Sequence, residues 1–266
     1  MSSVGRIRYP HPFRRAVRAA ALAAVCSSFG MTAEGQILNT LRGWADPEPG
    51  LTGEVEGRFG LAEGNSDYLE LSAGGAIQLV TGRHRVRFLV SETLRRADGE
   101  EIAENFLLHL RHNYRLTAGL SSLLFAQNQF NPFRRLERRT LLGAGARFDI
   151  VREAPWNASL GASYMFESER LTDAETEDID IDHRGSFFVS VIGSVTESVG
   201  VDVSGFYQPR LDDFSDSRVS LDASAQTDLV GELDLIVAFA LSRESEPAPG
   251  VEETDLTLTT GLRFSF

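Results

Sequence analysis

From position 51 onward the apolar residues of this chain recur at every second position rather than every third or fourth. That period places successive side chains on opposite faces of an extended strand. Over 255–266 the even positions carry Leu256, Leu258, Thr260, Leu262, Phe264 and Phe266, while the odd ones are polar or glycine. The same alternation separates Val219, Leu221, Ala223 and Ala225 from Ser220, Asp222, Ser224 and Gln226. It sets Val199, Val201 and Val203 against Gly200, Asp202 and Ser204, and Leu142, Ala144, Ala146, Phe148 and Ile150 against Gly143, Gly145, Arg147 and Asp149. One face of each segment suits lipid. The other carries charge and suits water.

The pattern predicts twelve such segments, at about 51–61, 67–80, 84–96, 102–115, 120–131, 137–151, 156–169, 182–196, 199–209, 217–229, 233–244 and 253–266. A bilayer crossing takes roughly 9–11 tilted residues, which every one of these segments supplies in full. An even count closes a barrel with both chain ends on one side. The connections at 81–83, 117–119, 153–155, 197–198 and 230–232 are tight, and those at 96–101, 171–181 and 244–252 are longer and charged, so short and long links are expected to alternate without exception. Short turns on one side and long loops on the other are the arrangement of an antiparallel up-and-down transmembrane β-barrel. Tyr114, Trp156, Tyr164, Phe166, Tyr207, Phe264 and Phe266 fall near segment ends, where interface girdles form.

The first residues follow a different rule. Arg6, Arg8, Arg14, Arg15 and Arg18 precede the small apolar run Ala19 to Val25, and Ala33 offers a small residue for cleavage, so 1–33 reads as a secretory signal. The run is far short of the roughly 20 residues of a membrane helix. Residues 34–50 read as a periplasmic tail and 51–266 as the barrel. Cys26, the only cysteine, invites a lipoprotein reading, but bulky Val25 stands where a small residue is expected, so it is expected to leave with the signal. The exported chain then holds neither disulfide nor cysteine nucleophile.

Composition narrows the classes further. All 26 basic residues are arginine, 38 acidic residues bring the net charge to −12, and hydrophobic residues make up 42%. That balance argues against nucleic acid as a partner. No long apolar run follows the signal, which argues against a helical membrane protein.

The alternation assigns Glu54, Glu56, Arg58, Glu70, Arg85, Arg87, Arg111, Arg115, Gln127, Gln129, Arg147, Asp149, Asp202, Asp222, Asp228 and Arg263 to the inside. Among these, Arg58, Arg87, Arg111, Arg147, Asp149, Asp202, Asp222 and Arg263 are the expected lumen charges. They either pair across and close the lumen or line a narrow aqueous path. Arg134, Arg135, Arg138 and Arg139 gather on the third outer loop, where guanidinium groups suit lipopolysaccharide phosphates. His109 is expected inside beside Arg111 and His112 outside; His183, after Asp180 and Asp182, faces a hypothetical convergence with Asp212 and Asp213. Glu175, Glu177, Asp178, Asp180 and Asp182 supply hard oxygen ligands, without the glycine-pinned spacing of a calcium loop. None of these forms a recognised catalytic signature, so no enzymatic role, cofactor or metal is expected.

Gly60 to Asp67, Thr81-Gly82-Arg83-His84, Arg139-Thr140-Leu141-Leu142-Gly143-Ala144-Gly145 and Gly261-Leu262-Arg263-Phe264-Ser265-Phe266 resemble domain-of-unknown-function family 481, named for salt-induced outer-membrane proteins. The resemblance covers about 51–266 and implies an outer-membrane β-barrel with no established biochemical activity. The closing aromatic strand, Leu262, Phe264 and Phe266, resembles the signal by which the barrel assembly machinery accepts its clients.

The expectation is a monomeric barrel in the bacterial outer membrane, in contact with its lipids and lipopolysaccharide, that passes small solutes or maintains the envelope under osmotic stress. Two alternatives stand beside it: a lipid- or peptide-hydrolysing barrel enzyme, and a soluble periplasmic small-ligand barrel with an apolar interior.

Overall fold

The computed structural model describes residues 49–62, 68–97, 100–172 and 179–266. The segments read as signal and tail lie outside the described residues, apart from Pro49 and from Gly50, which opens the first strand.

Alternation becomes strand throughout. The elements are β1 (Gly50–Ala62), β2 (Tyr68–Thr81), β3 (His84–Ala97), β4 (Glu100–Arg115), β5 (Leu120–Asn131), β6 (Leu136–Glu153), β7 (Trp156–Leu171), β8 (Asp180–Thr196), β9 (Val199–Pro209), β10 (Ser217–Val230), β11 (Leu233–Glu244) and β12 (Thr254–Ser265). A short 3₁₀ turn, Pro132–Arg134, bridges β5 and β6. Each strand pairs antiparallel with its sequence neighbour, and β12 pairs with β1 to close the barrel. Closure leaves no unpaired central edge.

The tight links are as the sequence predicts. Thr81 pairs with His84 and Val230 with Leu233, leaving Gly82–Arg83 and Gly231–Glu232 as two-residue turns. Gly82 and Gly231 adopt φ of 57° and 59°, the left-handed region where a Cβ is strained. One expected long link is corrected: β3 and β4 run on to Ala97 and Glu100, so 96–101 is almost entirely ladder. Outside a bilayer nothing stops polar residues from continuing to pair their backbones, and a register shift at Arg95/Arg96 accommodates the continuation.

The barrel is inside-out relative to a soluble one. Val55, Leu124, Leu142, Val189 and Leu258 are exposed on the outer face, whereas Arg87, Arg111, Arg147, Arg184 and Arg263 are buried within. A continuous apolar exterior of this extent needs lipid, because monomers in water do not display such belts. Trp156, Tyr164, Tyr207, Phe264 and Phe266 all lie on this outer face. The charged interior also removes the condition required by a soluble apolar-ligand barrel.

Strand pairing is uneven. β1 pairs with β2 along its whole length, 50–62, but with β12 only through 54–59 against 260–265. The seam between the first and last strands is the shortest ladder in the wall.

Candidate functional site

The lumen carries the chemistry, and it divides into three levels. Near the long-loop end the third outer link folds inward. Arg134, on the 3₁₀ turn, crosses to the opposite wall, where its Nε and Nη2 donate to Asp255 Oδ2 on β12 at 3.1 and 2.7 Å. Its Nη1 reaches Glu244 on β11 at 3.3 Å. Arg135 follows in the left-handed region with φ of 54° and donates from Nη1 to the Pro249 carbonyl at 2.9 Å. Strands β5 and β6 thereby become tied across the lumen to β11, β12 and the link between them.

Below that tie lies a lattice of ion pairs. Glu167 on β7 is hydrogen-bonded by Arg218 of β10 and lies 3.7 Å from Arg139 of β6 and 3.4 Å from Arg184 of β8. Glu244 accepts from Arg218 at 2.5 Å and lies 3.5 Å from Arg139. Glu169 pairs with Arg139 at 2.6 Å and Arg218 at 3.1 Å. Arg184 grips Asp216 with both terminal nitrogens, at 2.9 and 3.0 Å, and also holds Asp182 at 2.9 Å. Glu167 and Arg184 are almost fully buried, at 1% and 2% exposure, so their charges persist only because partners surround them. β6 and β11 lie on opposite sides of the closed strand order, so a chain of contacts that joins them spans the lumen.

The middle level is apolar on one side. Leu123 and Phe188 pack with Phe125 and Phe206, the two rings Phe188 and Phe206 standing 5.7 Å apart. Facing glycines make room. Phe125 is opposite Gly143 and Phe188 opposite Gly161, and a Cβ at either glycine would fall 2.1 or 1.9 Å from the ring. The other side holds a cavity of about 60 Å³ lined by small residues, among them Ser72, Gly74, Ala76, Ala238, Thr257 and Thr259, and by the charged Glu54, Glu56, Arg58, Arg87 and Asp222.

The third level, toward the short turns, holds the charges that alternation assigns inward. Glu54 and Glu56 on β1 serve three arginines. Arg87 donates to Glu54 at 2.5 Å, Arg263 to Glu56 at 2.9 Å, and Arg58 also pairs with Glu56. Arg263 donates further to Gln226 at 2.6 Å, and Arg147 to Asp149 at 2.8 Å. Arg111 lies 3.4 Å from His109 and over the Phe125 ring at 6.0 Å. Asp202 and Asp222 are buried on the facing strands β9 and β10. All eight expected lumen charges, Arg58, Arg87, Arg111, Arg147, Asp149, Asp202, Asp222 and Arg263, therefore have their side chains within the wall.

The basic third loop does not stay together. Arg134 and Arg139 turn inward, buried at 5% and 7% exposure, while Arg138 remains exposed and Arg135 lies at the rim. This corrects the reading of all four as one outward patch: Arg139 lies on β6 in inward phase, and Arg134 finds carboxylates inside. Leu262, Phe264 and Phe266 are exposed on the lipid face.

The histidines divide as follows. His109 faces the lumen and shares a 3.0 Å hydrogen bond with Gln127. His112 stacks on His84 outside. His183 lies on β8 rather than on a loop; its Nδ1 meets the Tyr164 hydroxyl at 2.5 Å on the outer wall, while the carboxylates of Asp212 and Asp213 are engaged by Arg210 and Ser215. The proposed convergence is thus not formed. Glu175, Glu177 and Asp178 of the acidic run lie outside the described residues, and Asp182 is committed to Arg184.

Sequence reading missed the ion-pair lattice. Arg184, Arg218, Glu167 and Glu244 stand in inward phase with Ser186, Ser220, Ser163 and Ser242, so alternation could have found them. Their positions near strand ends, next to charged links, hid them.

A closed antiparallel wall with an apolar outside and a charge-filled inside defines a transmembrane β-barrel of the outer-membrane type. The profile of the family described as protein of unknown function, DUF481, matches residues 59–266, and the chain belongs to that family. The NanC porin superposes with a TM-score of 0.49 at 9% identity, over 81% of this chain and 99% of that one. The translocator domain of the autotransporter NalP from Neisseria meningitidis gives 0.49 at 10% identity, over 94% and 97%. An outer-membrane channel from Pseudomonas putida F1 gives 0.47 at 12% identity, over 84% and 97%. No curated protein matches the chain.

Proposed function

We propose that this protein is an outer-membrane barrel that passes small solutes through a narrow lumen, whose conductance is set by the ion-pair lattice beneath the Arg134 segment. The observation that carries the reading is the junction at Glu167 and Glu244, where arginines of β6, β8 and β10 and of the third outer link converge. A wall built only for stability would fill its centre with apolar side chains, which dispense with the desolvation cost of so many buried charges. Fixed charges at a constriction instead select among ions.

Several accompanying readings belong to the same proposal. Export uses the signal at 1–33, the barrel assembly machinery reads Leu262, Phe264 and Phe266, and the protein works as a monomer without cofactor or catalytic role. Arg135 and Arg138 are the members of the basic loop left for lipopolysaccharide phosphates. Service to the envelope under osmotic stress rests on the family resemblance alone.

The test is single-channel recording of the refolded protein in a planar bilayer, beside Glu167→Gln and Arg134→Ala. Small discrete steps that grow in both variants are expected. A folded barrel silent in all three forms would sink the channel reading and leave an envelope role.

A further inference from the structure

We propose that the short-turn rim of the lumen holds a binding site for a small oxyanion of the phosphate or carboxylate class, built around Asn113. Four adjacent strands meet there in register. Arg85 of β3 stands opposite Asn113 of β4, Arg115 of β4 opposite Ser121 of β5, and Ser121 opposite Arg147 of β6. With Arg83 of the first tight turn and Arg152 at the end of β6, these arginines line one cavity of about 60 Å³. Asp149 is its single acidic lining residue among the described residues. A water needs about 10–15 Å³ of such space, so the cavity accepts a small anion with some of its hydration.

Asn113 is the second, independent sign. It is only 4% exposed, it lines the same cavity, and neither its Nδ2 nor its Oδ1 has a hydrogen-bond partner. A buried amide with both ends unserved is rare and calls for a ligand or ordered water. Guanidinium groups only donate, and their forks match the spacing of phosphate and carboxylate oxygens. An oxyanion accepts from the arginines and from Asn113 Nδ2, and a protonated oxygen or a carried water donates to Oδ1. Two of the arginines are already held in place: Arg147 Nε donates to Asp149 at 2.8 Å and Arg85 Nε to Gln78 at 3.0 Å. Their orientation precedes binding, which lowers its entropic cost.

The site does not depend on conduction. The charge excess and the orphaned amide lie at one rim, away from the Glu167 lattice, and a barrel that conducts nothing would still bind.

The experiment is isothermal titration calorimetry of the folded protein in detergent micelles, with inorganic phosphate and separately with acetate, chloride balancing the ionic strength. Saturable one-site binding of phosphate, acetate or both is expected, and the preferred anion assigns the ligand class. Arg115→Gln, on the exposed rim, and Asn113→Leu should each weaken it about tenfold, the value of one charge-assisted hydrogen bond. Arg243→Gln, at the opposite rim, should leave it unchanged. Heat-modifiable migration on a gel confirms that each variant is folded, and Arg115→Gln alone suffices if Asn113→Leu is not. Absence of saturable heat with both anions, or undiminished binding by Arg115→Gln, would overturn the proposal.

Discussion

The main chains of Gly53 and Phe266 exchange two hydrogen bonds of 2.9 Å, and the Phe266 ring covers Gly53 so closely that a Cβ there would sit 2.5 Å from Cζ. This contact continues the short β1–β12 ladder by one more pair, at the place where the wall has least pairing to spare. Phe266 therefore closes the barrel in addition to any part it plays in assembly. Gly53→Val should push the ring off and cost about 1–3 kcal/mol, as overpacking does. Guanidinium unfolding in liposomes measures it, and an unchanged midpoint would remove Phe266 from the closure.

Glu167 neutralises three arginines at once. Glu167→Gln keeps the shape and removes the charge that Arg139, Arg184 and Arg218 share, leaving them only their other carboxylates, Glu169, Glu244, Asp182 and Asp216. A loss of about 3–5 kcal/mol is expected, the usual cost of breaking a buried pair from one side. The same unfolding assay decides; a loss below about 1 kcal/mol, typical of exposed pairs, would mean that water reaches the lattice.

Arg134 and Asp255 are tied across the lumen by two hydrogen bonds. A double-mutant cycle of Arg134→Ala with Asp255→Asn should return a coupling of about 0.5–3 kcal/mol. Additive effects would indicate that the third outer link is not anchored by this pair.

Depth in the bilayer should govern the outer face. Val189 lies within β8 and points outward, whereas Val230 ends β10 at a tight turn. Val189→Arg should cost about 2–4 kcal/mol and Val230→Arg about 0–1 kcal/mol, following the depth dependence of arginine on barrel exteriors. Equal costs would contradict the proposed lipid belt.

The link between β9 and β10 carries a titration that can be followed directly. Hydrogen bonds from the Ser215 hydroxyl and then its backbone N–H hold the Asp213 carboxyl below its ordinary range, with Arg210 adding to the effect. A depressed folded pKa contributes stability above the unfolded value, and the contribution is lost as pH falls through the folded one. The link should therefore hold at neutral pH and loosen only in acid. Ser215→Ala should move the Asp213 titration upward in carboxyl-carbon NMR. A titration that stays in place would remove the hydroxyl from the effect and leave the depression to the backbone N–H at 215 and to Arg210.

Most of the architecture is written in the period of two. Alternation over 255–266 or 142–150 tells which side chains meet lipid whatever the neighbours do, because pleating alone sets the face. The strand number, the tight turns at Gly82 and Gly231 and the inward phase of Arg87, Arg111 and Arg147 follow from local rules that need no partner. The small inward glycine Gly143 was also visible, though not the ring of Phe125 that requires it. What only the tertiary structure decided is which charge meets which. Arg134 looked outward by its place on a link, and found Asp255 on a strand 121 residues away. Glu167 became a hub because β6 and β8 flank β7 and the curvature of the closed barrel brings Arg218 of β10 across to it. Facing is a property of one strand, but pairing across a lumen depends on circumference and stagger, which are fixed only when all twelve strands have closed.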